Sequence, residues 1–395
     1  MSRNNIMRGF PPAPENQVTL ANWRDAPHNR WGFQNVSQVV PVAPISCGRG
    51  AAEQFGRDIH DLDAIAFESL GGNETTVGQY LLDSYTDGFI ALMGGHVVSE
   101  RYFNGMAPDS RHIIFSVSKS VTASLTGIVV DRGQLDSDAP IADYVPEVAG
   151  STYGDATVRH LLDMTVGVNF VEDYTDTEGD FARYRMATGW NPSPAGTVPK
   201  YLREFLPSLT KDGKHGAKFH YVSPNSDLLG WVLERATDTP FNVLLGRELW
   251  APMGAEFDAY VAVDPLGAPR PAGGICVTLR DLARFGQMHL EGGLANNRQI
   301  IPEWWIRDMR ENGDPSAWAA GEMSESMPNT VYRSKWYIMG NGAYCGLGIH
   351  GQSVYVDPSS GIVFAKQSSH PMATEEALDD NMFRAFNAVA EALGG

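Results

Sequence analysis

Runs of β-branched and aromatic residues near both ends of the chain predict β-hairpins. Residues 89–93 and 97–102 are two such runs, and the Gly-Gly dipeptide between them is one that tight hairpin turns prefer. Residues 353–356 and 362–366 repeat this arrangement around an Asp-Pro-Ser-Ser-Gly turn. Strand-forming sequence therefore lies at both ends of the chain.

Apolar residues at helical spacing dominate the middle of the chain. They recur within residues 228–236 and 278–289, and a further helical run over residues 375–393 closes the chain. The segment from about 115 to 310 is accordingly predicted to be mostly helical.

The order of these elements predicts an α/β fold with two domains. Residues 1–130 and 265–395 are expected to form one α/β domain, and residues 131–264 a mostly helical domain inserted between its halves. Residues 1–75 are rich in Pro, Asn and Gly, which indicates an extended arm wrapped around a domain. We expect the active site in the cleft between the two domains.

The composition narrows the range of functions. A net charge of −17 with seven scattered lysines argues against a nucleic-acid surface, which needs clustered Lys and Arg. The cysteines, Cys47, Cys276 and Cys345, lack CxxC spacing, so neither a metal site nor a disulfide framework is predicted. Without a secretory signal or a membrane-length apolar run, we expect a cytoplasmic protein that does not contact a membrane.

The most informative motif is Ser116-Val117-Ser118-Lys119. This spacing places Ser116 and Lys119 on one face of a helix's first turn, where an amine can act as base for a hydroxyl nucleophile. Apolar residues at helical spacing follow until Asp131, so the motif is predicted to begin a buried helix. Burial must lower the lysine pKa by about three units for this role. The alternative is a serine that only caps the helix.

The same spacing recurs at Ser208-Leu209-Thr210-Lys211. Polar residues and glycines follow this copy in place of an apolar helix. We therefore predict a solvated loop in which nothing would desolvate Lys211.

A serine-lysine pair needs a further polar partner, because the leaving group of an amide must receive a proton. Tyr221, which lies just ahead of the helical run at 228–236, is the best candidate for this proton carrier. The alternative is an ordinary buried tyrosine with one hydrogen-bond partner.

Several motifs together resemble the serine β-lactamase and penicillin-binding-protein superfamily, and the likeness extends from about residue 80 to the end. They are the Ser116-to-Lys119 motif, residues 158–162, the stretch from Tyr221 to Asn225 and the segment from Gly348 to Gln352. Within this superfamily the chain is most similar to the 6-aminohexanoate-dimer hydrolases and the esterases related to them, as residues 27–31 of the arm also suggest.

The resemblance implies an antiparallel sheet flanked by helices and a Ser-Lys-Tyr hydrolase. Ser116 would be the acylated nucleophile, Lys119 its base and Tyr221 the proton carrier. The backbone N–H groups of Ser116 and Ile349 would form the oxyanion hole.

Four further residues are candidates for substrate contact. Tyr174 and Trp190, in a long loop at 172–193, resemble substrate-lining positions, with a structural role as the alternative. His350 has no partner histidine at ligand spacing, so substrate contact or packing is expected rather than metal binding. Asn225 lies four residues after Tyr221 instead of two, which leaves its role open.

The last active-site strand departs from the penicillin-recognising members. Where they carry Lys-Thr-Gly or His-Thr-Gly, this chain has Gly346-Leu347-Gly348 or, in another register, His350-Gly351-Gln352. The first register lacks the cation that would hold a β-lactam carboxylate, which disfavours antibiotic hydrolysis.

The sequence thus predicts a serine hydrolase that cleaves a small linear amide or carboxylic ester through an acyl-enzyme on Ser116, without a cofactor. A penicillin-binding D,D-peptidase or β-lactamase is the first alternative. An acyltransferase and a non-catalytic binding protein on the same fold are the others. The expected partner is a small-molecule substrate, and whether the chain works alone or as a homodimer stays open.

Overall fold

Strands and helices alternate along the chain, for which the computed structural model describes residues 5–50, 52, 54–194 and 200–394. The strands are β1 (Val42–Ile45), β2 (Gly56–Arg57), β3 (Ala66–Glu68), β4 (Glu74–Thr76), β5 (Thr86–Met93), β6 (His96–Tyr102), β7 (His112–Ile113), β8 (Ala259–Ala262), β9 (Ile275–Val277), β10 (Leu294–Ala295), β11 (Arg298–Gln299), β12 (Val331–Arg333), β13 (Trp336–Ile338), β14 (Tyr344–Gly348), β15 (Gln352–Asp357) and β16 (Ile362–Ser368). The α-helices are α1 (Asn29–Gly32), α2 (Val77–Asp83), α3 (Val117–Asp131), α4 (Ile141–Tyr144), α5 (Val158–Leu162), α6 (Asp180–Ala187), α7 (Leu202–Phe205), α8 (Ser223–Thr237), α9 (Phe241–Leu245), α10 (Leu279–Leu290), α11 (Glu303–Glu311), α12 (Pro315–Ala319) and α13 (Glu376–Gly394).

The two predicted hairpins meet in the centre of an eight-stranded sheet. Its order is β12-β13-β14-β15-β16-β5-β6-β2, and neighbours run antiparallel except for the parallel pair of β2 and β6. Strand β16 pairs with β5, placing Val363 opposite Leu92, so the two ends of the chain form one sheet. The turn between β5 and β6 is the predicted Gly94-Gly95, and both glycines have a positive φ, which glycine adopts without strain. The predicted fold class is confirmed.

Helices cover both faces of this sheet. Helix α10 packs against β5, β15 and β16, and Gly286 allows close approach, since a Cβ there would lie 2.6 Å from Val363 Cγ1. On the opposite face, Phe386 of α13 stacks on Phe364 with ring centroids 4.4 Å apart. Val363 and Phe364 are neighbours in β16 and belong to different core clusters, as the alternation of side chains along a strand requires.

The middle of the chain is helical, as its apolar spacing predicts. Between β7 and β8 the described residues form helices α3 to α9, joined by loops and short 3-10 or π-helical turns, and no strand. Strand β8 falls inside the end of the segment 131–264, and the division into two domains at 131 and 264 stays a prediction. Among the described helices, none combines the length and the apolar character needed to cross a bilayer.

Helix α3 runs through the interior with every residue from Val117 to Val129 buried. A second sheet, in the order β1-β8-β9-β7, ends just before this helix. The N–H of Ile114, which follows β7, donates to Ile275 O at 3.0 Å. The start of α3 is therefore held at the edge of this sheet.

The N-terminal arm is packed into the fold. Trp23 and Phe33 have no exposed surface, and the N–H of Ile113 in β7 donates to Phe33 O at 3.0 Å. Asn29 donates to the carbonyl oxygen of His370 at 2.9 Å. The arm thus contacts the segment before Ser116 and the segment after β16.

Candidate active site

Ser116 sits at a strained bend between β7 and α3. The preceding residue, Phe115, has a φ of 40°, a conformation that costs free energy in a bulky residue. Its ring packs against Phe33 of the arm at 4.9 Å and against His350 at 5.4 Å between centroids. These contacts hold the bend, and with it the hydroxyl of Ser116 at the edge of a cavity.

Lys119 lies one helical turn after Ser116, as the spacing predicts. Its Nζ is 2.8 Å from Ser116 Oγ and donates to Ala272 O at 2.6 Å. The residue is only 1% exposed, and this burial lowers its pKa to about 8, although the carboxylates of Glu172 and Asp227 oppose the shift. A share of the amine is therefore neutral at physiological pH and can accept the proton of the serine.

Tyr221 lies beside this pair, just ahead of α8. Its ring centroid is 5.0 Å from Lys119 Nζ. Burial, followed by the Glu172 carboxylate, raises the pKa of Tyr221, and the neighbouring Ser116 side chain only partly opposes this. The phenol is protonated at neutral pH and can pass a proton on.

The end of strand β14 runs directly beside Ser116. A Cβ on Gly348 would lie 3.1 Å from Ser116 N and 2.6 Å from Ile114 O, so only glycine lets the strand approach so closely. Ser116 N is at the start of α3, where backbone donors have no partner within the helix. Ile349, the next residue after β14, lines the same cavity as Ser116. Ser116 and Ile349 therefore border the same space.

The cavity beside Ser116 has a volume of about 200 Å³ and is lined by three of the four predicted substrate residues, Tyr174, Trp190 and His350. Helix α6 occupies part of the predicted loop between Tyr174 and Trp190. The Nδ1 of His350 lies 2.8 Å from His370 O, and burial lowers the pKa of His350 to about 4, so its ring is neutral.

Asn225 occupies a different environment and is not among the described residues that line the cavity. Its side chain has no exposed surface, and the hydroxyl of Tyr153 donates to its Oδ1 at 3.0 Å. Its contacts lie within the core of the helical segment.

Two carboxylates that the sequence did not single out organise the site. Asp227 accepts the N–H of Ala272 at 2.9 Å, and Ala272 in turn accepts from Lys119, so this carboxylate positions the loop that holds the lysine. Glu172 accepts the hydroxyl of Ser223 at 2.7 Å and that of Tyr174 at 2.9 Å.

Arginines are the other residues that sequence reasoning missed. Arg24 of the arm, Arg185 of α6 and Arg270 all line the cavity. They are far apart in the chain and follow no local motif, so only the fold brings them together.

Comparisons with known proteins agree with the motifs. The profile of the Beta-lactamase family matches residues 86–388. The chain is 35% identical over 364 residues to the 6-aminohexanoate-dimer hydrolase of Paenarthrobacter ureafaciens, and the alignment covers 92% of this chain and 91% of that protein.

Solved structures share the fold. A Bacillus anthracis protein provisionally named a 6-aminohexanoate-dimer hydrolase matches with a TM-score of 0.88 at 24% identity, covering 96% of this chain and 98% of that one. EstCE1, a hydrolase with promiscuous acyltransferase activity, matches with a TM-score of 0.62 at 16% identity, covering 79% of this chain and 96% of that one. The resemblance read from the sequence motifs is confirmed. The chain belongs to the beta-lactamase family, and it is a serine hydrolase.

Proposed function

We propose that this enzyme cleaves small linear amides or carboxylic esters through an acyl-enzyme on Ser116. The observation that carries the proposal is the buried Lys119 amine, with a pKa of about 8, at 2.8 Å from Ser116 Oγ. A hydroxyl becomes a strong nucleophile only when a base of this kind accepts its proton.

The acylation step uses the three side chains in turn. Neutral Lys119 takes the proton of Ser116 as Oγ attacks the substrate carbonyl carbon. Tyr221 delivers a proton to the departing nitrogen or oxygen, and the proton held by Lys119 then replaces it, so both groups regain their starting states. Water next attacks the acyl-enzyme carbonyl as Lys119 accepts one of its protons, and that proton passes to Ser116 Oγ as the carboxylic acid leaves.

The N–H groups of Ser116 and Ile349 are proposed to hold the oxyanion of the tetrahedral intermediate. The close approach of Gly348 to Ser116 N supports this placement. Two fixed donors aimed at a developing negative charge stabilise the transition state more than the ground state.

The substrate class rests on three supports. The relative from Paenarthrobacter ureafaciens is named a 6-aminohexanoate-dimer hydrolase. The cavity of about 200 Å³ suits a small substrate. The strand segment beside Ser116, Gly346-Leu347-Gly348, lacks the Lys or His that penicillin-recognising members carry at this place in the strand. Tyr174, Trp190 and His350 are the proposed substrate contacts, and Asn225 is proposed to support the helical core through Tyr153.

Intact-protein mass spectrometry tests this function. The protein is incubated with small esters, linear amides and one penicillin, and we expect an acyl mass gain on Ser116 from the esters and amides that is lost as product forms. Ser116→Ala should show no gain. A stable penicillin adduct, or cephalosporin opening faster than ester hydrolysis, would instead support a penicillin-binding peptidase or β-lactamase. Acyl transfer to an added alcohol in preference to water would support an acyltransferase.

A further inference from the structure

One wall of the cavity beside Ser116 carries a concentration of positive charge. The guanidinium groups of Arg24, Arg185 and Arg270 come from the arm, from α6 and from the loop after β8, and all three line the cavity. The proposed mechanism uses none of them. We call this set the arginine wall.

Arg270 forms an ion pair with Asp227 but is short of hydrogen-bond acceptors. Within the described chain, its Nε and Nη1 are buried and have no hydrogen-bond partner, and the residue is 5% exposed. The nearby Asp227 Oδ2 is 3.6 Å from Nε, too far for a hydrogen bond, and it accepts from the hydroxyl of Tyr184 instead. A buried N–H donor without an acceptor is destabilising, and more so in a charged group.

The other two members of the arginine wall bond to neutral groups. Arg24 donates to the side-chain oxygen of Asn191, and Arg185 donates to the backbone carbonyls of Tyr174 and Asp176. Among the described residues, the Nε of Arg24 and of Arg185 has no partner. Burial first, and then the neighbouring Arg185 and Arg270, lower the pKa of Arg24 to about 9. The three cations therefore repel one another across a shared space.

The acidic residues of the cavity lie elsewhere in it. Glu172 is engaged by the N–H and hydroxyl of Ser223 and by the hydroxyl of Tyr174. Asp25 is an exposed residue, where water screens its charge. Neither makes an ion pair with the arginine wall within 4.0 Å in the part of the chain that is described.

Aromatic rings hold the guanidinium planes in place. Trp190 has Arg270 at 4.0 Å on its ring and Arg24 at 5.9 Å, and Tyr184 has Arg270 at 4.7 Å. Stacking on an aromatic face fixes the plane of a guanidinium and leaves its edge free to bind a planar anion. Trp190 is itself fixed by its ring contact with Trp23 at 5.2 Å.

We propose that the arginine wall is a carboxylate-binding subsite, so that the preferred substrates are linear amides or esters that carry a free carboxylate. This inference rests on the proposed hydrolysis at Ser116. A carboxylate in the cavity would place a negative charge beside the three guanidinium groups and offset their mutual repulsion. A substrate with an ammonium group in the same place would be rejected.

The preference is measured with p-nitrophenyl esters of one chain length that end in a carboxylate, a methyl or an ammonium group. We expect kcat/KM for the carboxylate ester to exceed that for the methyl ester by about tenfold or more, and the ammonium ester to be the poorest. In Arg24→Gln and Arg185→Gln we expect kcat/KM for the carboxylate ester to fall about tenfold more than kcat/KM for the methyl ester, so the preference decreases. Arg24→Lys keeps the positive charge and should therefore retain part of the preference for the carboxylate ester.

Arg298→Gln is the matched control, because Arg298 is an exposed arginine in β11 that does not line the cavity. Its preference should equal that of the unaltered protein. Thermal unfolding of each variant checks that it is folded. A protein that uses the methyl ester as well as the carboxylate ester, or a preference that survives both Arg24→Gln and Arg185→Gln, overturns the subsite.

Binding without chemistry separates this inference from the proposed function. Ser116→Ala is titrated calorimetrically with glutaric acid monoanilide and with pentananilide, which differ in the terminal carboxylate. Tighter binding of the monoanilide supports the subsite even if no ester is hydrolysed, and equal binding contradicts it. Ester hydrolysis without any preference leaves the nucleophile in place and removes the subsite.

Discussion

Ser116 and Ser208 each begin the same Ser-x-x-Lys spacing, but their surroundings differ in every respect that matters for chemistry. The first copy opens the buried helix α3, and its lysine amine lies 2.8 Å from the serine hydroxyl. The second copy begins in a short turn, where Ser208 donates to Phe205 O at 2.6 Å. Lys211 points to solvent and pairs with Asp155.

The comparison shows that the Ser-x-x-Lys spacing identifies a candidate catalytic pair. Burial of the lysine then determines whether its amine can act as a base. Lys119 is enclosed, so its ammonium form loses hydration and its pKa falls to about 8. The side chain of Lys211 is 43% exposed and forms an ion pair with Asp155, so its ammonium group keeps its contact with water. The absence of apolar helical spacing after Ser208 correctly predicted this outcome.

The largest contrast is expected from removing each serine hydroxyl. Ser116→Ala should lower kcat by about 10⁴-fold or more, because the nucleophile is lost, whereas Ser208→Ala should leave kcat unchanged. Steady-state hydrolysis of an activated ester measures both. Comparable activity in the two variants would show that the nucleophile lies elsewhere.

Replacing each lysine by methionine should give the next largest contrast. Lys119→Met is expected to lower kcat by about 10³-fold or more, since residues of one catalytic unit fail together. Lys211→Met should retain full activity. If Lys211→Met were the more damaging change, the assignment of the base would be wrong.

Tyr221 lies beside the Ser116–Lys119 pair, and no tyrosine is among the contacts described for Lys211. Tyr221→Phe should lower kcat by about 10²-fold for a linear amide and by less for an activated ester, whose leaving group needs no proton. Both rates are measured on the same preparation. Equal losses with the two substrates would remove the proton-carrier role.

The pH dependence of kcat/KM should follow the titration of the Lys119 amine. Because the base must be neutral, kcat/KM for a neutral ester should rise with pH and level off above about 8. In Glu172→Gln the rise of kcat/KM with pH should move to lower pH, since the Glu172 carboxylate favours the charged form of Lys119. If kcat/KM of this variant rises over the same pH range as that of the unaltered protein, a group other than Lys119 controls the pH dependence.

The smallest effects are expected on Tm, where the two lysine-to-methionine substitutions should act in opposite directions. Lys119→Met should raise Tm by about 1–2 °C, because a buried amine is replaced by an apolar side chain of similar length. Lys211→Met loses only an exposed ion pair and should lower Tm by less than about 2 °C. Calorimetric scans compare them. A drop of several degrees in Lys119→Met would show that the amine stabilises the fold.

Much of the fold could be predicted because its signals are local. The β5–β6 hairpin follows from its Gly-Gly turn, and α10 and α13 follow from apolar spacing. The start of α8 could not be placed, because its first turn, from Ser223, contains Pro224 and no apolar periodicity. Proline fits the first turn of a helix, but the same residue is equally at home in a loop.

The candidate site was predictable where it follows a motif and not where it depends on distant contacts. The spacing of Ser116 and Lys119 places both on one helix face, and Tyr221 precedes a recognisable helix. Asp227 and Arg270 carry no such signal, since their roles arise from meeting Ala272 and Trp190 in space. The arm was expected to wrap the domain, but its local sequence gave no indication that Arg24 would line the cavity.

The arm has a consequence for how the enzyme is made. The residues around the cavity extend from Arg24 to Thr374, and Phe33 supports the bend at Phe115. The ribosome synthesises the chain from its N-terminus, so the cavity cannot close until the residues up to Thr374 have emerged. The nascent enzyme should therefore stay inactive until that point in translation.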